Sequence, residues 1–150
     1  MQPAPSDRFV LPLRVYYEDT DAAGVVYYAN YLRFLERART EWLRALGYEQ
    51  QRLAREMNLG FVVRSVNCEY LKPARLDQTL NVVSTIESMG RAQLVFAQSV
   101  ETVADAPDIL LTASVRVACV EVASVKPRAL PAEMYDTFKK LTANGDRKRA

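Results

Sequence analysis

One short stretch of the sequence combines residue types that could do chemistry on a carbonyl group. In YYEDTDAAGVVYYANYLRFL, residues 16–35, the carboxylates Glu18, Asp19 and Asp21 are followed by small residues and then by aromatic and aliphatic ones. An ionised carboxylate can attack a carbonyl carbon or take a proton from water, and Asp21 is the candidate for this role. Backbone N–H groups in the first turn of a helix lack internal partners and could hold a developing oxyanion.

The same residues also allow a structural interpretation. Asp21 is followed by three small residues ending at Gly24, and an aspartate at such a tight turn commonly forms an Asx-turn or caps a helix. Glu18 and Asp19 fit a solvated loop or a cap better than a two-carboxylate mechanism, which would need one raised pKa. Asn30 fits either the N-cap of a helix that starts late or the lining of a site.

The composition excludes several kinds of catalytic site. The chain has no histidine, which excludes Ser-His-Asp and Cys-His catalysis and histidine-ligated zinc. The five glycines are too far apart for a dinucleotide or phosphate-binding loop, and Cys68 and Cys119 lack metal-ligand spacing and are expected to be free thiols. We therefore expect no metal and no cofactor. A thioester needs neither histidine nor metal, because its thiolate leaves readily, so thioester hydrolysis fits this chain.

Length and charge narrow the possible partners. The 150 residues, 49% of them hydrophobic, are enough for one globular domain with a real core. A net charge of +2 gives no field that would favour nucleic acid or an anionic membrane. We see no apolar run of spanning length and no signal peptide, so we expect a cytoplasmic protein without a membrane span. The ending DRKRA is expected to be a flexible basic tail.

The spacing of the hydrophobic residues predicts the first strand and the first helix. Alternation over residues 8–17 predicts a strand, and Pro12 favours an edge position for it. Helical spacing over residues 31–46 predicts one long amphipathic helix that ends at Gly47. The residues of this helix predicted to face the core are Tyr31, Phe34, Leu35, Ala38, Trp42, Ala45 and Leu46.

The rest of the chain predicts a short helix, four strands and a last helix. The short helix lies in EQQRLAREMNL, the strands follow from Phe61 with hairpin-type connections, and residues 131–141 form the last helix. In the first of these four strands, the residues with the spacing of core-facing positions are Val62, Arg64, Val66, Cys68 and Tyr70. An arginine at such a position is a rim residue, an ion-pair partner or, less often, a substrate contact. This order predicts an α+β fold with an antiparallel sheet. One helix covers one sheet face only, so a dimer or larger assembly is expected.

The stretch RVYYEDTDAAGVVYYANY, residues 14–31, resembles the signature of the hotdog-fold acyl-CoA thioesterases of the 4-hydroxybenzoyl-CoA thioesterase type. The residues that match the signature are Arg14, Val15, Thr20, Asp21, Gly24, Val25, Val26 and Tyr28. The similarity continues through YLRFLERARTEWLRALG, FVVRSVNCEYLKPARLDQ, SMGRAQLVF and KPRALP. These segments resemble the subgroup associated with the bacterial Tol-Pal envelope system, and the similarity covers about residues 8–141.

This resemblance implies a single hotdog thioesterase domain over residues 1–150, with a long central helix wrapped by a five-stranded antiparallel sheet. It also implies homodimers that often pair into homotetramers, active sites between subunits, and hydrolysis of acyl-CoA or acyl carrier protein thioesters. The catalytic carboxylate falls on Asp21. The helix-entry residue, whose backbone N–H meets the thioester oxygen, falls on Tyr28, where the Tol-Pal subgroup usually has histidine and the hydroxybenzoyl type has tyrosine.

Further residues are candidates for substrate binding. Those predicted to contact the substrate are Gly24, Val25, Tyr27, Asn30 and Arg91. Arginines and lysines near turns could meet the phosphates of coenzyme A or be simply solvated, and besides Arg91 these are Lys72, Arg75, Lys126 and Arg128. A third group fits the core or a subunit interface better than an acyl pocket, namely Tyr16, Tyr17, Tyr27, Tyr31 and Trp42.

Two other functions stay open at this stage. One is a hotdog dehydratase acting on acyl thioesters, which usually needs the histidine that this chain lacks. The other is a non-catalytic thioester-binding or envelope-scaffold subunit that keeps the fold without turnover.

Overall fold

The computed structural model describes residues 7–142, and this part of the chain contains five β-strands and three α-helices in the predicted order. A single 3₁₀ turn, Tyr17–Asp19, follows the first strand. The predicted basic tail lies outside the described residues. The elements are β1 (Arg8–Arg14), α1 (Asn30–Ala45), α2 (Gln50–Met57), β2 (Leu59–Tyr70), β3 (Thr79–Gly90), β4 (Gln93–Thr102), β5 (Ile109–Glu121) and α3 (Ala132–Leu141).

The five strands form one antiparallel sheet in the order β1-β3-β4-β5-β2. The predicted α+β class with an antiparallel sheet is therefore confirmed. Strands β1 and β2 are the two edges, and Pro12 lies in an edge strand as expected, because a proline cannot donate to a central ladder. None of the helices described here is both long enough and apolar enough to cross a bilayer.

The sheet has two ends with different surroundings. At the entry end, where α1 begins, β3 starts at Thr79 opposite Arg14, and Val15 N–H donates to the carbonyl of Gln78 at 2.9 Å. At the far end, β3 finishes at Gly90 and turns into β4. The 12 residues of β3 separate the two ends by roughly 35 Å.

Helix α1 packs on one face of the sheet through an apolar stripe. Its Trp42 ring lies 6.0 Å from Phe9 of β1 and 6.1 Å from Phe96 of β4, centroid to centroid. The helix residues that are buried are Tyr31, Phe34, Leu35, Ala38, Arg39, Trp42 and Leu43. Ala45 was predicted to be buried and is exposed, because the stripe continues from Arg39 to Leu43 one turn later.

A buried glutamine ties α1 to the middle of the sheet. The side-chain amide of Gln98 donates to the carbonyl of Leu35 at 3.0 Å and to Ser84 Oγ at 2.9 Å. Its Oε1 accepts from the guanidinium of Arg39 at 3.0 Å. Because a buried polar group is stable only when its hydrogen bonds are made, these contacts favour one position of α1 on the sheet.

The predicted helix end at Gly47 is confirmed. Gly47 has a φ of 96°, a left-handed conformation in which a side chain would be strained. Gly47 N–H donates to the carbonyl of Arg44 at 2.9 Å, and Tyr48 N–H donates to that of Leu43 at 2.8 Å. These two bonds form a Schellman motif, which satisfies carbonyls at the end of α1.

Strand β2 differs from its prediction because it contains a β-bulge. The pairing with β5 shifts between Val63 and Ser65, which leaves Arg64 as the extra residue. Before the bulge, Val63 pairs with the core residue Val117, and after it Val66 pairs with Val115. Directly paired residues of an antiparallel ladder lie on the same face of the sheet, so the prediction that Val62 and Arg64 face the core is wrong. The prediction for Val66, Cys68 and Tyr70 is confirmed, because they pair with the core residues Val115, Ala113 and Leu111. Arg64 is exposed.

Strand β1 is shorter than predicted and ends at Arg14. Tyr17 was predicted to lie within this strand, yet it lies in the 3₁₀ turn with 82% of its surface exposed. Tyr31 and Trp42 are buried as expected, whereas Tyr16 and Tyr27 are exposed in the single chain.

Cys68 and Cys119 are free thiols, as predicted, and burial raises the pKa of both.

Candidate active site

Asp21 lies in a tight hairpin turn at the entry end. Its N–H donates to the carbonyl of Val25 at 2.9 Å, and its own carbonyl accepts from Gly24 N–H at 3.0 Å. Gly24 has a φ of 79°, which explains why a glycine is needed here. Thr20 and Val26 form an antiparallel bridge that closes the turn.

The Asp21 side chain is exposed and partly engaged. Its Oδ1 accepts from Ala23 N–H at 2.8 Å, which is the Asx-turn of the structural interpretation. Its second oxygen, Oδ2, receives no hydrogen bond from the residues described, and the carboxylate forms no ion pair with them. The turn therefore fixes one oxygen and presents the other outward.

Asp19 has a structural role instead. It is 7% exposed, and its Oδ2 accepts from Tyr16 N–H at 2.8 Å. Its carbonyl accepts from Tyr27 N–H at 3.0 Å and from the side-chain amide of Asn30 at 2.9 Å. The expectation that Asp19 acts as a cap is confirmed, since its carboxylate binds backbone. Glu18 is exposed, in agreement with a solvated loop.

Helix α1 starts without a side-chain cap. The N-cap is Ala29, so the option that Asn30 is the N-cap is wrong. Asn30 is the first helical residue and uses its side chain to hold the loop at Asp19. Tyr28 precedes the N-cap, and no acceptor for its backbone N–H is found in residues 7–142. An unsatisfied N–H beside the positive end of a helix can bind an oxyanion.

A cleft lined by aromatic rings lies beside this helix start. Its lining residues are Val26, Tyr28, Tyr31, Tyr70, Leu71, Lys72 and Pro73. The Tyr70 ring lies 6.2 Å from that of Tyr28 and 5.7 Å from that of Tyr31, in edge-to-face geometry. The Tyr70 hydroxyl donates to the carbonyl of Tyr28 at 3.2 Å.

The environments of Tyr27, Tyr31 and Tyr70 raise the pKa values of their phenols. Burial raises the pKa of Tyr31, against the opposing effect of the hydrogen bond from Ala74 N–H. Burial also raises the pKa of Tyr70, and its neighbours Cys68, Tyr28 and Tyr31 add to the effect. The Tyr28 phenol raises the pKa of Tyr27. Tyr27, Tyr31 and Tyr70 are therefore neutral at physiological pH.

The structure groups most of the predicted site residues with Asp21 at the entry end, namely Gly24, Val25, Tyr27, Tyr28 and Asn30. Tyr27 and Tyr28 are exposed, and their ring centroids are 4.8 Å apart.

The predicted cationic contacts divide between the two ends of the sheet. Arg75 forms a bridge with Val25 at the entry end, where Lys72 pairs with Asp108 at 3.1 Å. Arg91 lies in the β3–β4 turn at the far end, where its carbonyl accepts from Leu130 N–H at 2.8 Å. One chain therefore does not bring Arg91 to the Asp21 turn.

Lys126 and Arg128 are also at the far end. Lys126 accepts a backbone hydrogen bond from Glu121 N–H, and the guanidinium of Arg128 donates to the carbonyl of Met57. Within residues 7–142 no cluster of three or more His, Cys, Asp or Glu side chains could hold a metal ion.

Tyr70 is a neighbour of the site that was not among the predicted site residues. Tyr70 is the last residue of β2 and is 42 positions from Tyr28. The sequence predicts that a strand ends directly before LKPAR and that a turn follows. It does not show which residues contact the end of that strand.

The chain is similar to known proteins over most of its length. The profile of the thioesterase superfamily matches residues 23–106. The acyl-CoA thioester hydrolase YbgC of Escherichia coli O6:H1 is 49% identical over 132 residues, which are 87% of this chain and 96% of the relative. The acyl-CoA thioesterase YbgC of Haemophilus influenzae is 44% identical over 89% of this chain and 96% of its own.

Solved structures give the same result for the fold. A probable thioesterase from Bartonella henselae is 35% identical and superimposes with a TM-score of 0.77 over 83% of this chain and 99% of its own. A mutant of 4-hydroxybenzoyl-CoA thioesterase complexed with 4-hydroxybenzoyl-CoA has a TM-score of 0.80 over 88% of this chain and 99% of its own. Its identity is 21%, so this similarity concerns the fold alone. The chain belongs to the thioesterase superfamily and has the hotdog fold of its relatives.

Proposed function

We propose that this chain hydrolyses acyl-CoA thioesters to a free acid and coenzyme A. The names of the relatives from Escherichia coli and Haemophilus influenzae support this substrate class. The observation that carries the proposal is the geometry of Asp21, whose Asx-turn holds one carboxylate oxygen and leaves the other exposed close to the uncapped start of α1.

Two reaction routes are compatible with this geometry. As a nucleophile, an Asp21 oxygen bonds to the thioester carbon and the C–S bond breaks. The thiolate of coenzyme A leaves and is protonated by solvent, and water then hydrolyses the mixed anhydride and restores the carboxylate. As a general base, Asp21 takes a proton from water while the water oxygen bonds to the carbonyl carbon, and that proton passes to the departing thiolate.

In this proposal the backbone N–H of Tyr28 polarises the thioester carbonyl. The developing negative charge on the carbonyl oxygen is stabilised by this donor and by the positive end of α1. Gly24, Val25, Tyr27 and Asn30 shape the substrate site around it.

The dehydratase alternative has no support from the relatives named above. A non-catalytic thioester-binding or Tol-Pal scaffold subunit remains the second candidate, because the Asx-turn gives Asp21 a structural use.

We also propose that the chain forms a homodimer, with α1 as the central helix of each subunit, and that two dimers pair into a tetramer. The apolar residues Leu32, Val63 and Val66 are 41%, 48% and 40% exposed, and they line one groove between α1 and the edge strand β2. An uncovered edge strand and an apolar groove of this kind favour pairing with a second chain.

The buried guanidinium of Arg39 supports the same interface. Arg39 lines that groove, and burial lowers its pKa. None of the carboxylates in residues 7–142 forms an ion pair with it, although Glu36 lies one turn away. A buried charge is costly without a counter-charge, and a carboxylate from a second copy would reduce that cost. In such an assembly Arg91 of one subunit would be available to coenzyme A bound at the other.

We also propose a subgroup and a location for this chain. The sequence segments that resemble the Tol-Pal-associated subgroup support a place in that subgroup, and a coenzyme A thioester as substrate fits a cytoplasmic location.

We predict that Asp21→Asn lowers acyl-CoA turnover by roughly 10²–10⁴, the range for a positioned proton-transfer group. Asparagine keeps the Oδ1 acceptor for Ala23 N–H, so the turn and the assembly should persist. Thiol release from an acyl-CoA panel measures the effect. Glu18→Gln, at an exposed carboxylate of the same loop, is the matched control and should change turnover less than about tenfold. Wild-type turnover in Asp21→Asn, or loss through unfolding, would make Asp21 a structural residue.

Substitutions of Tyr28 should have small effects, because the proposed donor is its backbone N–H. Tyr28→Phe is expected to keep most of the turnover. Tyr28→His is expected to stay active and to change the acyl preference measured on the same panel. A loss of about 10²-fold or more in Tyr28→Phe, as expected for deletion of an oxyanion donor, would show that the phenol itself takes part.

We expect Val66→Lys to convert the assembly into monomers of 17.0 kDa, because a second cation would be buried beside Arg39 in the α1–β2 groove. Light scattering at micromolar concentration, with circular dichroism to verify folding, is the measurement. Val103→Lys is the control, since Val103 is 54% exposed and outside the groove. A wild-type chain that is itself a stable monomer would refute the proposed dimer.

A further inference from the structure

Tyr70 contacts the residue that the proposed mechanism uses as oxyanion donor. Its hydroxyl donates to the Tyr28 carbonyl at 3.2 Å, and its ring packs edge-on against the ring of the same residue. A second edge-on contact, at 5.7 Å, joins Tyr70 to Tyr31 in the first turn of α1. From the end of strand β2, Tyr70 therefore contacts residues on both sides of the N-cap Ala29, namely Tyr28 and Tyr31.

The start of α1 depends on contacts of this kind. The N-cap has no side-chain hydrogen bond, and residues outside the helix hold the first turn instead. The Asn30 amide donates to the Asp19 carbonyl, and the Tyr31 hydroxyl accepts from Ala74 N–H at 3.0 Å. Of the side-chain hydrogen bonds in residues 7–142, only that of Tyr70 ends on residue 28.

We propose that Tyr70 is a positioning residue for thioester hydrolysis, which fixes the main chain of Tyr28 so that its N–H meets the thioester oxygen. This inference rests on the proposed function and adds to it the residue that orients the donor. No hydrogen bond joins Tyr70 to Asp21 within residues 7–142, and the proposed effect of Tyr70 passes through the main chain of Tyr28.

The protonation state of Tyr70 suits this task. Burial raises the pKa of its phenol, and the nearby Cys68, Tyr28 and Tyr31 act in the same direction. The hydroxyl therefore keeps its proton and donates to the Tyr28 carbonyl through neutral and mildly alkaline pH. Removing the hydroxyl alone, as in Tyr70→Phe, deletes the donor and leaves the two ring contacts in place.

The first test compares the kinetics of Tyr70→Phe with those of a matched control. Tyr48→Phe removes a hydroxyl that donates to Thr137 at 3.3 Å near the far end of the sheet. We expect Tyr70→Phe to lower kcat by about fivefold to tenfold with KM changed less than about twofold, the scale of one net hydrogen bond. Tyr48→Phe should leave both constants unchanged. Equal kcat values in Tyr70→Phe and the wild type would overturn the proposal.

The second test measures the polarisation of the carbonyl directly. Benzoyl-CoA and hexanoyl-CoA, isotope-labelled at the thioester carbonyl, are bound to the Asp21→Asn protein, and infrared difference spectra record the carbonyl stretch. We expect a shift to lower frequency in Asp21→Asn that becomes smaller in Asp21→Asn/Tyr70→Phe and stays the same in Asp21→Asn/Tyr48→Phe.

The outcomes separate this inference from the function on which it rests. An equal shift with and without the Tyr70 hydroxyl would refute the positioning role and leave the proposed oxyanion contact in place. A bound thioester with an unshifted carbonyl in Asp21→Asn would refute the oxyanion contact itself, and the role of Tyr70 with it. A kcat effect accompanied by the smaller shift would support the inference.

Discussion

Helix α1 begins without a side-chain cap, and the site depends on how this beginning is held. Capping side chains normally satisfy the free N–H groups of a first turn. Here side-chain hydrogen bonds to other parts of the chain hold the first turn, and the side chains that form them are those of Asn30, Tyr31 and Tyr70. The N–H of Tyr28 has no acceptor among the described residues. The helix start is thus fixed in position while its donor end stays open, which is the arrangement an oxyanion site needs.

The packing of α1 against the sheet fixes the position of the whole helix, including its start. The Gln98 network fixes the helix against β3 and β4, and the Schellman motif at Gly47 ends it before α2. The same network buries Arg39 beside an apolar groove that one chain leaves open. The contacts that position the helix therefore also create the surface that we propose a second copy covers.

The order of elements was predictable because each follows from a local pattern. Hydrophobic residues recur every second position in the strands and with a period of 3.6 in α1, which distinguishes the two kinds of element. Gly47 marks the end of the helix. The bulge at Arg64 was not predictable in this way, because one extra residue exchanges the two faces of a strand and the sequence does not show where the insertion occurs. Ala45 illustrates the same limit within a helix, since neighbouring elements decide which edge of the stripe is covered.

The candidate site was predictable where its residues are close in sequence. Residues 18–30 contain Asp21, Gly24, Tyr28 and Asn30, and the family signature spans them. Tyr70 and Arg91 depend on long-range geometry, because the sheet brings the end of β2 to the start of α1 and places the β3–β4 turn roughly 35 Å away. Asp19 and Asp21 look alike in sequence. Both carboxylates accept a backbone hydrogen bond, and only the fold shows that Asp19 is buried and Asp21 is exposed.

The central claim is that this chain breaks a thioester bond. A single-turnover experiment with excess purified protein and isotope-labelled acyl-CoA, read by thiol release and mass spectrometry of the products, tests it most directly. We predict one thiol of coenzyme A and one free acid for each acyl-CoA consumed. Tight binding of acyl-CoA with no thiol released across aromatic and aliphatic substrates would contradict it and identify a binding subunit instead.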